Sequence, residues 1–264
     1  MTPLPSLNNK RVTFSVLTYN LEFNRALKFI PDIIDKYQPD IMCLQEVAIS
    51  KKGLGQFIFP GYRLAAASGS FFHMGKTYGQ ANFYREDKFI PLESRSILLP
   101  KTYYEVIVTL LTHKGPRTAL CSDFVLKQSL QDQICVCNLH LTALQANNKA
   151  RNKQLYEALD NIDITADQHA IILGDFNYPF RKRSLQKLMS QYNLSEATSN
   201  IIQTHWHQPL MWRAFERIIN RFAPISLKFD YILHAQSLQC LKTEVLEEFR
   251  GSDHYPVLSR LSCI

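Results

Sequence analysis

The sequence lacks the marks of secreted, membrane-spanning and disulfide-rich proteins. Residues 1–5 carry no cationic start that leads into an apolar run, so we expect no secretory signal peptide. No apolar stretch approaches the ~20 residues of a membrane-spanning helix. The cysteines form no C-x-x-C pair, and most lie in apolar, strand-like runs. We therefore predict a cytoplasmic protein with reduced core cysteines and with neither a zinc site nor a disulfide.

Internal repeats, low-complexity tracts and long linkers are also missing. A chain of 264 residues is long enough to bury one large core. Its 46% apolar and 20% charged residues are typical of a globular protein rather than a disordered one. We predict a monomer with one domain over residues 1–264, in which residues 1–10 form a flexible N-terminal arm.

The chain is rich in short apolar runs at strand spacing, with a few stretches at helical spacing between them. Strands are predicted at 12–19, 41–45, 62–67, 80–84, 107–111, 119–126, 134–139, 170–173, 229–233, 238–245 and 255–261. Helices are predicted at 31–37, 147–164, 185–189 and 210–222, and a loop at 48–61. Strands dominate this order, which favours an α/β fold with two packed sheets and helices outside, a layered sandwich.

Polar side chains follow several of these apolar runs at the point where the strand ends. Asn20 ends Thr18-Tyr19-Asn20, and Glu46 ends Leu44-Gln45-Glu46. Two further motifs of this kind are Leu173-Gly174-Asp175-Phe176-Asn177 and Gly251-Ser252-Asp253-His254. Ligands bind open sheets at the ends of strands, so we expect these four segments to converge on one acidic site.

Glu46 follows a buried strand, where an unpaired carboxylate is costly. No Lys or Arg stands beside it in the sequence, so a hard divalent ion such as Mg²⁺ is its natural companion. The alternative is a glutamate that forms a salt bridge at the end of its strand.

Asp175 and Asn177 share one short turn after Gly174, which we expect to bend the backbone sharply. A carboxylate there can orient or deprotonate a water, and an amide can donate to a phosphoryl oxygen. The alternative is an Asx turn, in which the same residues serve only the backbone.

Two imidazoles complete the predicted site. Asp230 interrupts an apolar strand and needs a buried partner, and His254 is a good one because an Asp–His pair fixes the tautomer of the ring. His140 stands at the end of another strand, and the alternative for it is a structural histidine of the core. The remaining histidines are interpreted as ordinary structural residues.

Together these motifs resemble the endonuclease/exonuclease/phosphatase superfamily, the fold of DNase I, exonuclease III and the neutral sphingomyelinases. The resemblance spans nearly the whole chain, from Asn20 to His254, with the motifs in the family's order. It implies a four-layer α/β sandwich of two mainly antiparallel sheets flanked by helices, and Mg²⁺-dependent hydrolysis of a phosphoester.

The resemblance also implies a role for each motif residue. Glu46 is a metal ligand, and Asp253 and Asn20 lie close to the ion. Asp175 and Asn177 surround the attacking water and the phosphate. Asp230 and His254 form the catalytic dyad, and His140 contacts the phosphate.

The chain departs from the family pattern in several places. Glu22 stands where repair nucleases carry an aspartate, and we keep it as a predicted third metal ligand. Val47-Ala48 replaces the Thr-Lys of abasic-site endonucleases, and the segment 178–183 is also unlike theirs. We therefore do not predict an abasic-site repair nuclease.

Charge offers a weaker indication of the substrate. The chain has 30 Lys and Arg against 23 Asp and Glu, a net charge of +7. Five of the acids belong to the predicted site, which leaves 30 basic against 18 acidic residues, or +12, elsewhere. An acidic pocket inside a basic shell suits a metal ion that meets a polyanion, although mild basicity also serves solubility alone.

Two basic segments are candidates for contact with the substrate. Arg181, Lys182 and Arg183 lie beyond the Asp175 turn, where they can follow a phosphate backbone or simply begin a solvated helix. The predicted helix at 210–222 carries arginines every four residues opposite an apolar stripe, which suits nucleic acid, an anionic membrane surface or packing on the core.

The sequence thus supports three hypotheses. The first is a Mg²⁺-dependent phosphodiesterase that acts on nucleic acid, with Mn²⁺ as the alternative ion. The second is a phosphatase or phospholipase C-like hydrolase of a lipid or inositol phosphate headgroup, or of another phosphorylated small molecule. The third is an inactive binding module, against which the complete set of acids, amides and histidines argues.

Overall fold

The computed structural model describes residues 11–101, 106, 117–143, 148–162, 169–178, 182–205 and 227–264. The N-terminal arm, the strand predicted at 107–111, the helix predicted at 210–222 and Arg181 lie outside these residues.

The described residues form twelve strands and a small number of helices. The strands are β1 (Thr13–Asn20), β2 (Ile41–Ala48), β3 (Tyr62–His73), β4 (Lys76–Arg85), β5 (Phe89–Leu98), β6 (Thr118–Leu126), β7 (Ser129–His140), β8 (His169–Asp175), β9 (Leu194–Glu196), β10 (Asp230–Ala235), β11 (Leu238–Val245) and β12 (Val257–Cys263). The helices are a 3-10 helix (Arg25–Phe29), α1 (Ile30–Tyr37), α2 (Lys51–Leu54), α3 (Lys149–Asp160) and α4 (Arg183–Gln191). Among the described residues, no helix is both long and apolar enough to cross a membrane.

The strands form two sheets of six. The first sheet has the order β11-β12-β1-β2-β4-β3 and the second the order β5-β6-β7-β8-β10-β9. Each sheet contains one parallel pair, β1 with β2 and β7 with β8, and all its other pairs are antiparallel. The two mainly antiparallel sheets of the sequence prediction are therefore confirmed.

Three apolar layers hold this arrangement together. One lies between the sheets and includes Val16, Cys43 and Ile171. A second lies outside the first sheet, where Ile30 and Ile33 of α1 pack. The third lies outside the second sheet, against α3 and α4. Central strands are buried on both faces, which is why the sequence shows them as unbroken apolar runs. Three cores separate four layers, as the α/β sandwich requires.

Parts of the sequence prediction need correction. The segment 48–61 contains the short helix α2, whose Ser50 Oγ accepts a hydrogen bond from the Gly53 N–H at 3.0 Å. Strand β5 was not predicted because it is an edge strand with mostly exposed side chains, and so lacks an apolar pattern. Strand β9 is too short to leave a pattern, and it is also an edge strand. The cysteines in the described residues are free, and all but Cys240 are buried.

Gly174 does not bend the backbone as the sequence suggested, since β8 continues through it to Asp175. Its φ is +134°, and a Cβ at this position would lie 2.0 Å from the Leu139 carbonyl oxygen. The glycine therefore permits the close approach of β8 to β7, and the turn falls on Asn177, whose φ is +50°.

Gly174→Ala should destabilise the protein by ~3 kcal/mol or more, because the clash is with backbone that cannot move aside. Gly75→Ala is the matched control. Gly75 also has a positive φ, of +79°, but a Cβ added there would meet no atom within 4 Å, so that variant should lose only about 1 kcal/mol. Urea unfolding measures both. Equal losses in the free energy of unfolding of the two variants would show that the close approach of β7 to β8 is not what requires glycine at position 174.

Candidate active site

Strand register brings three of the predicted site residues into one row. His140 ends β7 opposite Asp175 at the end of β8, and Asp175 faces Asp230 at the start of β10. Directly opposite residues on neighbouring strands share a face of the sheet. Ile171 and Ile232 lie an even number of residues from these acids, so they point to the same face, and both belong to the core between the sheets. The row therefore faces the first sheet across the sandwich. Asp230 begins its strand rather than interrupting it, which corrects the sequence prediction.

The first sheet contributes Asn20 and Glu46. Asn20 ends β1 beside Gln45 of β2. Glu46 lies inside β2, which continues to Ala48, and not at the end of the strand as predicted.

A β-bulge aims Glu46 at the site. The register between β2 and β4 shifts between Leu44 and Val47, and Glu46 has a φ of +56°. Met42, Leu44 and Val47 all pack in the outer core, so the outward positions change from even to odd numbers across the bulge. Without the bulge, alternation would point Glu46 at the outer core as well.

Asp175 is at the centre of the contacts. Its Oδ1 accepts a hydrogen bond from the Asn177 N–H at 2.9 Å, and its Oδ2 accepts one from the Asn20 amide at 3.1 Å. The Nε2 atoms of His140 and His254 each lie 3.6 Å from the same Oδ2. Nε2 of His140 is also 3.9 Å from Oε1 of Glu46.

Asp230 and His254 form a buried pair. Nδ1 of His254 lies 2.7 Å from Oδ2 of Asp230, and both side chains are almost fully buried. The Ser252 hydroxyl accepts a hydrogen bond from the His254 N–H at 3.1 Å, which fixes the backbone beside the ring. With Nδ1 engaged, Nε2 is the nitrogen that faces Asp175.

His205 belongs to the site, although the sequence analysis interpreted it as a structural histidine. Its Nε2 lies 3.6 Å from Oδ2 of Asp253, and its ring is edge-on to His254 with the centroids 5.1 Å apart. An isolated bridge also pairs the backbones of His205 and His254. His205 follows Gln203-Thr204 and does not end a predicted strand, so no sequence signal distinguished it from the other histidines.

The acids and imidazoles shift one another's pKa values. Burial, with the charges of Asp175 and Asp253, raises the pKa of Glu46 to about 7. Burial also raises the pKa of Asp175, where Asp230 adds to the effect and His254 opposes it. Burial alone would raise the pKa of Asp253, but His205 and His254 lower it to about 2.

His254 and His140 differ in charge because their charged neighbours differ. Burial disfavours the charged form of His254, but Asp230 and Asp175 outweigh it and raise its pKa well above the usual range. Burial lowers the pKa of His140 well below the usual range, and Arg117 and His254 add to that effect. The site therefore pairs an imidazolium at His254 with a neutral imidazole at His140.

The remaining predicted residues have other partners. The Glu22 carboxylate forms an ion pair with Arg25. The Asn177 side-chain amide donates to the Leu141 carbonyl at 3.1 Å. The Asx turn weighed in the sequence analysis is present, since Oδ1 of Asp175 accepts a hydrogen bond from the Asn177 N–H. Lys182 and Arg183 are exposed at the start of α4.

Buried amides join the two sheets beneath the site. The Gln45 amide donates to Oδ1 of Asn138 at 2.8 Å, and the Asn138 amide donates to Oδ1 of Asn82 at 2.9 Å. The Asn82 amide in turn donates to the Ser122 hydroxyl at 3.1 Å. Each of these hydrogen bonds crosses from one sheet to the other. The network therefore holds β2 and β7 in a fixed position relative to each other, and with them Glu46 and His140.

An aromatic cluster, which the sequence analysis missed, lies beside His140. We call Phe23, Phe71, His73 and Tyr78 the aromatic shelf. The Phe71 ring is edge-on to the His140 ring, with the ring centroids 5.6 Å apart, and the Arg117 guanidinium lies 5.5 Å from the Phe71 centroid. The Phe23 ring stacks on His73 with a centroid separation of 4.4 Å, and it is edge-on to Phe71 with a separation of 6.2 Å.

The donor set fits a hard divalent cation. Glu46 and Asp253 supply carboxylate oxygens and Asn20 an amide oxygen, which are the ligand types that Mg²⁺ prefers. The raised pKa of Glu46 shows that its charge is poorly compensated by the protein alone. His254 and His205 also form clusters with the acids in which one ligand atom per residue lies within 4.8 Å of the others.

The Endonuclease/Exonuclease/phosphatase family model matches residues 17–254, and the chain belongs to this family of phosphoester hydrolases. No curated protein matches the sequence.

Solved structures share the fold. A family protein from Bacteroides thetaiotaomicron aligns with a TM-score of 0.72 at 20% identity, over 97% of this chain and 99% of that one. The catalytic domain of human Nocturnin, with a bound sulfate, aligns with a TM-score of 0.67 at 22% identity, over 97% and 98%. ANGEL2, a 2′,3′-cyclic phosphatase, in complex with adenosine-2′,3′-vanadate, aligns with a TM-score of 0.70 at 17% identity, over 97% of each chain.

Glu46→Gln should stabilise the metal-free protein, and the gain should grow with pH. A carboxyl whose pKa rises from 4.5 to about 7 on folding costs nothing below pH 4.5. Its cost grows as the pH increases through that interval and reaches at most ~3 kcal/mol above it. Thermal unfolding in a chelator at pH 5 and pH 8 measures the difference between variant and wild type. Mg²⁺ should then raise the melting temperature of the wild type more than that of the variant. A difference independent of pH would contradict the assigned environment of Glu46.

Proposed function

We propose that the chain is a Mg²⁺-dependent phosphodiesterase that acts on nucleic acid, with Mn²⁺ as the alternative ion. The observation that carries the reaction class is the Asp230–His254 pair, which faces Asp175 at 3.6 Å beside the raised-pKa carboxyl of Glu46. This arrangement combines a base, a buried cationic donor and an uncompensated carboxylate in one place.

Glu46 and Asp253 would hold the ion, with Asn20 close to it. When bound, the ion stabilises the negative charge that develops on the phosphoryl oxygens. Glu22 remains a predicted ligand, and its pairing with Arg25 does not favour that role.

Asp175 would orient the attacking water and take its proton as the water oxygen forms the new P–O bond. The ester oxygen on the opposite side would leave with the electron pair of the broken P–O bond and take a proton from solvent. Asn20 and the Asn177 N–H hold this carboxylate in place. The imidazolium of His254, kept charged by Asp230, donates from Nε2 to a phosphoryl oxygen and stabilises the transition state. Neutral His140 donates to a second phosphoryl oxygen.

His254→Ala should lower kcat by ~10²–10⁴-fold, because it removes the group that stabilises or protonates the reacting phosphate. Asp230→Asn should be nearly as damaging, since the ring then loses its charge and its orientation. Asp123→Asn is the control: Asp123 pairs with Arg95 at 2.6 Å on β5 and β6, away from the dyad. Steady-state hydrolysis of a small phosphodiester, with circular dichroism as a check on folding, measures all three. Unchanged turnover in Asp230→Asn would contradict the dyad.

The aromatic shelf favours nucleic acid over a lipid or inositol phosphate. Bases stack on aromatic rings whatever their sequence, and a guanidinium over a ring adds a cation for the phosphate backbone. Phe71 and Phe23 are half-buried, so part of each ring remains open to a ligand. Lys182 and Arg183 are exposed, and we keep the proposal that Arg181, Lys182 and Arg183 follow the phosphate backbone of the substrate.

Phe71→Leu should raise KM for an oligonucleotide by roughly 5- to 100-fold, because base–aromatic stacking is worth ~1–3 kcal/mol per base. The same variant should hydrolyse an abasic oligonucleotide of equal length as well as the wild type does. Phe72→Leu is the matched control, since Phe72 is the neighbouring residue and forms no part of the shelf. Equal losses on base-bearing and abasic substrates would instead show that Phe71 acts only through His140.

We also retain the proposals of a cytoplasmic monomer with one domain. Free cysteines suit a reducing compartment. The shared core between the two sheets suits a single folding unit.

A further inference from the structure

Asp132, His169 and Cys263 meet at the end of the sandwich that lies away from the active site. We call these residues the distal cluster. One ligand atom from each lies within 4.8 Å of the other two. His169 begins β8 and Asp175 ends it, so the distal cluster is ~20 Å from the catalytic acids along that strand.

Both sheets contribute to the distal cluster. Asp132 and His169 belong to neighbouring strands of the second sheet, and Cys263 ends β12 of the first. Cys263 lies in the core between the sheets, and its N–H donates to the Val12 carbonyl at 3.0 Å. The three side chains therefore converge in the space between the sheets.

The His169 imidazole is poorly satisfied by the protein. The residue is 7% exposed, and its buried Nδ1 has no hydrogen-bond partner among the described residues. Its Nε2 lies 3.5 Å from Oδ1 of Asp132, which is long for a hydrogen bond between charged groups. This long contact leaves Nε2 without a strong partner, and a cation between Nε2 and the Asp132 carboxylate would supply one to both groups.

The observed spacing suits two ligands of one ion. Nitrogen and oxygen ligands lie ~2.0–2.2 Å from zinc, and at a tetrahedral angle they are ~3.3–3.5 Å apart. The Nε2–Oδ1 distance of 3.5 Å agrees with this separation. Imidazole, carboxylate and thiol are also the three side-chain types that zinc sites use.

We propose that Asp132, His169 and Cys263 bind a Zn²⁺ ion that joins the two sheets at the end opposite the active site. The sequence offered no sign of it because the three residues come from separate strands without a C-x-x-C pair. The ion clamps β12 to β7 and β8, and so stabilises the sandwich without taking part in hydrolysis.

Cobalt titration of the untagged protein tests this proposal. Excess Mg²⁺ is present to occupy the catalytic acids. One equivalent of Co²⁺ should produce the absorption band of a thiolate–cobalt bond, and Zn²⁺ should abolish it. The described catalytic site contains no cysteine, so the band reports the distal cluster alone.

Substitutions at the distal cluster test which residues bind the ion. Cys263→Ser should eliminate the band, and His169→Asn should weaken binding by at least ~10-fold. Cys240→Ser, on the neighbouring strand β11, should retain the band. Zn²⁺ at ~100 times its dissociation constant should raise the melting temperature of the wild type by roughly 5 °C, and that of Cys263→Ser much less.

Two results would overturn the proposal. One is the absence of a thiolate band in the wild type, and the other is a band of unchanged intensity in Cys263→Ser. Because Cys263→Ser changes one atom, its folding and its hydrolysis of a small phosphodiester with Mg²⁺ should match the wild type. That control separates the loss of zinc from the loss of structure.

Discussion

Mutual repulsion among buried carboxylates is the constraint on which the active end of the sandwich depends. Glu46, Asp175, Asp230 and Asp253 approach one another at the junction of the two sheets, where water screens their charges poorly. The protein compensates part of this charge with the His254 imidazolium. The rest of the cost falls on Glu46, where burial, with the charges of Asp175 and Asp253, raises the pKa to about 7. A divalent cation is the simplest group that would remove the repulsion.

Backbone strain is part of the same design. Glu46 lies in the left-handed region inside a bulge, and Glu22, Phe23 and Asn24 occupy that region in succession. Such conformations cost ~1–3 kcal/mol each and persist only where the surroundings hold them. The Asn24 side chain supports both segments, since its Oδ1 accepts a hydrogen bond from the Ala48 N–H at 3.1 Å. Strained backbone thus presents the Glu46 carboxylate on one side and the Phe23 ring on the other.

The sandwich fold could be predicted from the sequence because strands buried on both faces appear as apolar runs. Most of the acidic site residues could be predicted because each follows such a run. It was insufficient where position depends on other strands. The bulge at Glu46 is visible only in the register with β4, and Gly174 is required by a carbonyl of β7. The edge strands β5 and β9 lack an apolar pattern. His205 could not be assigned to the site because its contact there is Asp253, which is distant in the sequence. The aromatic shelf was missed because Phe23 and Phe71 are brought together only by the fold.

The central claim is that the carboxylates of Glu46 and Asp253 form one cation site beside the Asp230–His254 pair. Anomalous diffraction from crystals soaked in Mn²⁺ tests it most directly. The account predicts a peak within ~2.3 Å of a Glu46 oxygen and near Asp253, and no such peak in Glu46→Gln. A peak that avoids Glu46, or one that persists in the variant, would contradict it.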